Sequence, residues 1–306
     1  MAIRFGVAGT AHWASNVHVP GLLATPDVKL VGVWGRNAAK AREIARKHAV
    51  RAFATYEEML EHVDAVSIAV PPAVQGPLAG GAARAGKHLL LEKPLSTSVE
   101  GAGSVVEAIG GRVASVVFFM RRFVPEIEQA VHAVSGQSWE SAEIRVLSSA
   151  MATVGPYSDS VWRQAAGAAL WDNAPHVLSI LIPALGPVTK VSAAHNADRV
   201  TRMTTHHARG TVANATVTLH ASPDAAKREY TFISGARRLT LPDPDFSHQG
   251  AYSRAAHELV TMIASGTYVH RCSAGFGLDV VRILEAADRS AALGKAVDVQ
   301  DPAATM

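Results

Sequence analysis

The sequence predicts an α/β protein in two parts: a doubly wound parallel sheet over residues 1–120, then an α+β domain with an open, mainly antiparallel sheet over residues 121–306. Three observations predict it. With 306 residues the chain exceeds the roughly 100 to 200 of a single domain. Up to about residue 120, short apolar runs alternate with helix-like segments, the pattern of a parallel sheet covered on both faces. Beyond that point the strands lengthen and alternate apolar with polar residues, as a sheet with one buried and one wet face requires.

Taken in order, residues 3–8 read as the first strand and 14–24 as the helix after it. A strand at 30–35 leads through the cap Asn37 into a helix at 38–47, and a weaker strand follows near 51–54. Residues 65–70 and 88–91 are strands around a helix at 75–85, which Gly86 ends. Ser98 caps a helix at 98–109, and 114–119 is the last strand of a Rossmann-like, dinucleotide-binding domain. In the second part 139–148, 188–195, 211–221, 229–234 and 237–241 read as strands. Ala213, Ala215, Val217 and Leu219 alternate there with Asn214, Thr216, Thr218 and His220, giving one apolar and one polar face. Helices at 252–265 and 277–293 close this substrate-binding and oligomerisation domain, whose open sheet is expected to make a homodimer or homotetramer.

Composition narrows the classes. Hydrophobic residues make up 48% and charged residues 18%, which excludes a disordered polyelectrolyte. The 55 alanines suit packed helices. The net charge of +3 is dispersed without a basic run, so no nucleic-acid partner is expected. No apolar stretch reaches the roughly 18 to 20 residues of a membrane span, so no membrane partner is expected and the reading is cytoplasmic. The single cysteine, Cys272, agrees with a reducing compartment. Among 14 histidines there is no HExxH and no Cys/His set at ligand spacing, so no metal is expected, and the pair His206-His207 reads as surface chemistry.

The first strand ends in Gly9-Thr10-Ala11-His12-Trp13-Ala14, where a strand turns into a helix. A dinucleotide fold needs glycine there because the turn is tight and the backbone approaches a pyrophosphate held at the helix amino end. Gly9, Thr10, Ala11, His12 and Trp13 are therefore candidate cofactor-binding residues, with an ordinary tight turn as the alternative for this GxAxxA copy. The second strand ends in Val33-Trp34-Gly35-Arg36-Asn37, without the acid that accepts from ribose hydroxyls in NAD sites. Arg36 suits a 2′-phosphate and Gly35 leaves room for it, so NADP(H) is favoured over NAD(H), with Asn37 beside it; the alternative is a solvated arginine and a simple cap.

Further on stand Val70-Pro71-Pro72, then Leu89-Leu90-Leu91-Glu92-Lys93-Pro94, then Trp162-Arg163, and then Gly167 through Leu170-Trp171-Asp172-Asn173-Ala174-Pro175-His176. In order and spacing this set resembles the Gfo/Idh/MocA family of sugar and cyclitol oxidoreductases, and Leu284, Ala286, Ser290 and Gly294 are similar to its last helix. The resemblance implies a Glu-Lys-Pro motif beside the nicotinamide, a cis Lys93-Pro94 bond, and a cofactor role for Trp162 and Arg163. It also implies departures: Ala11 replaces the second fingerprint glycine, Gln75 the histidine after the fourth strand, and alanines most of a triple glycine before Asp172.

Ligands of doubly wound sheets sit at the carboxyl ends of the strands, which sets Pro71, Gln75, Glu92 and Lys93 along one crevice. The Lys93 ammonium suits a substrate oxygen gaining alkoxide character. Asp172 and His176, four residues apart, share a helix face; the imidazole suits reversible proton transfer and the carboxylate orients it or binds substrate. Lys93, Asp172 and His176 are thus the expected catalytic residues. Arg121, Arg122, Tyr157 and His248 are further pocket candidates. The expected function is an NAD(P)-dependent oxidoreductase moving a hydride between nicotinamide and a carbinol or carbonyl carbon of a small sugar, polyol or cyclitol. The alternatives are a non-catalytic NAD(P)-binding regulator and a redox-assisted glycosidase.

Overall fold

The computed structural model describes residues 2–157 and 160–299. The chain divides into two units, one made of residues 1–124 and 246–278 and the other of 125–245 and 279–306. This differs from a single cut at residue 120. The segment 246–278, expected in the second domain, belongs to the first, because its helix carries an apolar stripe that the first unit buries.

The first unit holds a six-stranded parallel sheet in the order β3-β2-β1-β4-β5-β6. Its elements are β1 (Ile3–Ala8), a π turn (Ala14–His18) running into α1 (Val19–Leu23), β2 (Val28–Trp34), α2 (Ala38–His48), β3 (Arg51–Ala52), α3 (Tyr56–His62), β4 (Ala65–Ile68), α4 (Pro72–Arg84), β5 (His88–Leu91), α5 (Val99–Ile109) and β6 (Ser115–Val117). Val7, Val66, Ile68, Leu89, Leu90, Val116 and Val117 are buried, as strands covered on both faces must be. Asn37 Oδ1 accepts from Lys40 N–H at 3.0 Å and Ser98 Oγ from Gly101 N–H at 3.1 Å, so both expected caps are formed. The sequence reading had no helix between 54 and 65. Seven residues are too short to show a helical period, but Thr55 and Glu58 are a cap signature, and Thr55 Oγ1 accepts from Glu58 N–H at 3.1 Å.

The π turn has a local cause. Pro20 lacks the N–H that would continue the regular ladder, and Val19 N–H reaches back five residues to Ala14 O.

The second unit holds a seven-stranded sheet in the order β12-β11-β7-β10-β9-β8-β13. After α6 (Pro125–Val134) come β7 (Ser141–Leu147), α7 (Val161–Gln164), α8 (Ala168–Asp172), α9 (Ala174–Leu185), β8 (Val188–His195), β9 (Val200–His207), β10 (Val212–Thr218), β11 (Lys227–Ser234) and β12 (Arg237–Thr240). Helices α10 (His248–Ser265) and α11 (Ala274–Leu293) and the short β13 (Val297–Asp298) end the described chain. All pairs are antiparallel except β7 with β10. Ala213, Ala215 and Val217 lie opposite Ala142, Ile144 and Val146 and are buried with them. On the other face Asn214 donates to Glu143 Oε1 and accepts from Thr204, both at 2.9 Å, a polar ladder across three strands.

Candidate functional site

In the first unit the candidate residues collect at the carboxyl ends of β1, β2, β4 and β5, and the strand order reverses direction between β1 and β4. Gly9 follows β1 with φ 142°, a left-handed value. A Cβ built on it would stand 2.2 Å from Ala69 O, so only glycine lets the loop cross the end of β4. Its N–H donates to Trp34 O at 2.8 Å. Residues 12–23 then form one helical run, and Ser15 N–H donates to Ala11 O at 3.1 Å. The run begins at His12, so its first turn is the amino end of a helical segment, the setting that holds phosphate. Ala11 and His12 are exposed, and Trp13 is half-buried with its ring centroid 5.5 Å from that of His248.

After β2, Gly35 is confined too, since a Cβ there would lie 2.6 Å from Thr10 Cγ2. The fingerprint loop and the β2 end therefore touch. Arg36 is exposed beside them, and Asn37 is committed to capping α2. This glycine-lined cradle with a cation at its rim fits a dinucleotide: Gly9 through Trp13 would hold the pyrophosphate and Arg36 the adenosine end.

After β5 comes the half-buried pair Glu92-Lys93, joined to Pro94 by a cis peptide bond. Gln75, fully buried, clamps this loop. Its Nε2 donates to the carbonyls of Glu92 (2.6 Å), Pro94 (3.1 Å) and Leu95 (3.3 Å), and its Oε1 accepts from Glu92 N–H at 2.8 Å. The amide is thereby committed to the backbone of the lysine loop, and Gln75 shapes the site from beneath. Pro71 is exposed at the end of β4, ahead of α4. The sequence reading missed His18, Ser67 and Tyr252. His18 Nε2 meets Glu92 Oε1 at 2.9 Å and its Nδ1 meets Ser67 Oγ at 2.8 Å, all inside this unit. The available signal was a polar residue inside an apolar run: Ser67 in β4, His18 between Val17 and Val19.

The second unit carries Trp162, Arg163, Asp172 and His176. Arg163 Nε donates to Asp172 Oδ2 at 2.7 Å. The guanidinium lies 4.2 Å from the Trp162 ring centroid and 4.6 Å from that of Tyr157, and Asp172 is buried. Asp172 ends α8 and His176 lies in the first turn of α9. The helix is interrupted between them because Pro175 has no N–H to return to Trp171. Asn173 fills the junction, and its Nδ2 donates to Thr218 O at 2.9 Å. Arg121 and Arg122 are buried in the first unit. Among the described residues no group of three or more His, Cys, Asp or Glu is placed to hold a metal, and no helix is long and apolar enough to cross a membrane.

Residues 3–117 match the family model described as the oxidoreductase family with NAD-binding Rossmann fold, GFO_IDH_MocA. An uncharacterised oxidoreductase, ORF334 of Rhizobium meliloti, is 30% identical over 178 residues, covering 56% of this chain and 52% of that protein. The dTDP-3,4-didehydro-2,6-dideoxy-alpha-D-glucose 3-reductase of Streptomyces antibioticus is 36% identical over 106 residues, covering 34% of this chain and 32% of the reductase. The matches thus span about half the length of these curated relatives or less. The crystal structure of GenD2 from gentamicin A biosynthesis, in complex with NAD, superposes with a TM-score of 0.85 at 22% identity over 98% of this chain and 97% of GenD2, a likeness of fold. Residues 3–117 are thus similar to the NAD-binding Rossmann part of the Gfo/Idh/MocA oxidoreductases, and the fold likeness extends over nearly the whole chain.

Proposed function

We propose that the chain is an NAD(P)-dependent dehydrogenase or reductase that moves a hydride between nicotinamide and a carbinol or carbonyl carbon of a small sugar, polyol, cyclitol or related compound, with NADP(H) preferred. The observation that carries this reading is the Glu92-Lys93 loop, clamped by Gln75 at the end of β5, two strands from the glycine loop after β1. Two strand spacings are about 10 Å, a span that a dinucleotide laid along the strand ends covers. The sugar chemistry in the name of the Streptomyces reductase supports the substrate class.

Bound nicotinamide supplies the hydride donor or acceptor. The Lys93 ammonium hydrogen-bonds the reacting oxygen and stabilises its developing negative charge. His176 exchanges the hydroxyl proton as general acid and base. Asp172, charged and held by Arg163, supplies a fixed negative charge next to α9. Arg36 favours the phosphorylated cofactor. The wet face of the second sheet, with Glu143, Asn214 and Thr204, supports assembly into a homodimer or homotetramer. A screen of polyols, aldoses, inositols and dicarbonyls with NADPH and NADH tests the reading. Turnover is expected with at least one, and is expected to vanish in Lys93→Met and His176→Ala while folding and cofactor binding persist; a variant that keeps activity removes its residue from the mechanism.

A further inference from the structure

Three polar side chains are fully buried together in the first unit: His18, Ser67 and Tyr252. They form a row. Tyr252 Oη lies 2.7 Å from Ser67 Oγ, Ser67 Oγ lies 2.8 Å from His18 Nδ1, and His18 Nε2 lies 2.9 Å from Glu92 Oε1. The other oxygen of that carboxylate, Oε2, accepts from the Lys93 N–H at 3.2 Å. The rings of His18 and Tyr252 lie against each other with centroids 4.1 Å apart. The π turn before Pro20 is what carries His18 into this position, and α10 brings Tyr252 to it.

Counting protons gives the row a direction. Burial holds the Tyr252 phenol well above its ordinary range, and the Glu92 charge adds to this against the opposing pull of the Ser67 hydrogen bond. Tyr252 is therefore a protonated donor whose hydrogen-bond neighbour among the described residues is Ser67. Stranding a buried O–H is costly, so the phenol donates to Ser67. Ser67 must then pass its own hydrogen to His18 Nδ1. That leaves the ring proton on Nε2, where it donates to the Glu92 carboxylate. Ser67 Oγ meets His18 and Tyr252 alone among the described residues, so an imidazolium donating to it would strand either the phenol proton or, if Ser67 accepted from both, the Ser67 hydrogen.

We propose that Tyr252, Ser67 and His18 are positioning residues: a one-way hydrogen-bond relay that fixes the Glu92 carboxylate and, through its second oxygen, the Lys93 backbone in the orientation hydride transfer needs. The functional half of this rests on the role of Lys93 given above. Gln75 holds the loop's main chain, and the relay holds its acid.

Nitrogen NMR of the full chain with labelled histidine, His18 being assigned by its absence in His18→Gln, reads the tautomer directly and needs no substrate. A neutral Nε2–H ring is expected at neutral pH; an imidazolium or an Nδ1–H ring overturns the relay. Tyr252→Phe and Ser67→Ala are both small deletions, so a fold check by circular dichroism accompanies them. Both are expected to mix the His18 tautomers and to lower kcat about tenfold, with KM and the Kd for NADPH changed less than about twofold. Unchanged kcat in both variants overturns the positioning role. Full turnover by Lys93→Met instead removes Lys93 from the mechanism, while the imidazole signals still decide the relay.

Discussion

Arg163 is bound to Asp172 by a 2.7 Å hydrogen bond while its guanidinium lies on the face of Trp162. The two charged side chains are only 15% and 10% exposed, so the pair is largely desolvated and each charge depends on the other. Removing one partner is expected to cost more than removing both. Arg163→Met should lower the unfolding free energy by about 3 kcal/mol, and Arg163→Met with Asp172→Asn should recover a good part of it. Urea unfolding of the two singles and the double checks this; simple additivity would remove the coupling.

Gly9 has no substitute. Its φ of 142° and the 2.2 Å approach of a built Cβ to Ala69 O predict that Gly9→Ala displaces the loop from the end of β4. The expected cost is above about 2 kcal/mol, together with loss of NADPH binding. Ala11→Gly, at an exposed position, is expected to keep both. Thermal melts and cofactor fluorescence titrations distinguish the two, and normal binding by Gly9→Ala would show that the loop does not hold the cofactor.

Arg36 tests the proposed preference for NADP(H). Arg36→Ala is expected to weaken NADPH about tenfold and NADH hardly at all, because only the former carries the extra phosphate that the guanidinium can grip. Equal losses, or none, would mean that this arginine is merely solvated.

Acid lability should centre on the half-buried His88 and on His207, which is buried and so departs from the surface position expected for the pair His206-His207. Burial pushes His207 and His88 below the usual imidazole range, His207 although its Nδ1 meets Gly186 O at 2.7 Å. The folded state thus binds fewer protons than the unfolded one. Their contribution to stability is complete above about pH 6.5 and is lost as the pH falls below that value toward the folded-state pKa. Denaturant midpoints measured from about pH 7 to pH 5 should fall, and His207→Gln should make the fall shallower; an unchanged slope would exclude His207 as a contributor.

Much of this was legible in the linear chain. Five of the six strands of the first sheet are short, mainly apolar runs, and that pattern places them within a few residues. Asn37 and Ser98 announce their helices because capping is a local interaction between neighbours in sequence. Helix α3 escaped because seven residues give too little period to read. Gln75 drew notice as a departure from a family pattern, but its function as a clamp depends on Glu92, Pro94 and Leu95, some 20 residues away.

The sequence by itself determined the parallel sheet, the glycine turn after β1 and the Glu92-Lys93-Pro94 loop after β5, because periodicity, turn chemistry and strand ends are properties of short segments. Only the tertiary structure decided that 246–278 belongs to the first unit, that Arg163 holds Asp172, and that His18, Ser67 and Tyr252 line up on Glu92. The His18–Tyr252 contact joins residues more than 230 positions apart. Such pairings are set by which buried polar groups must find partners once the core has closed around them, and no local pattern in the chain records that.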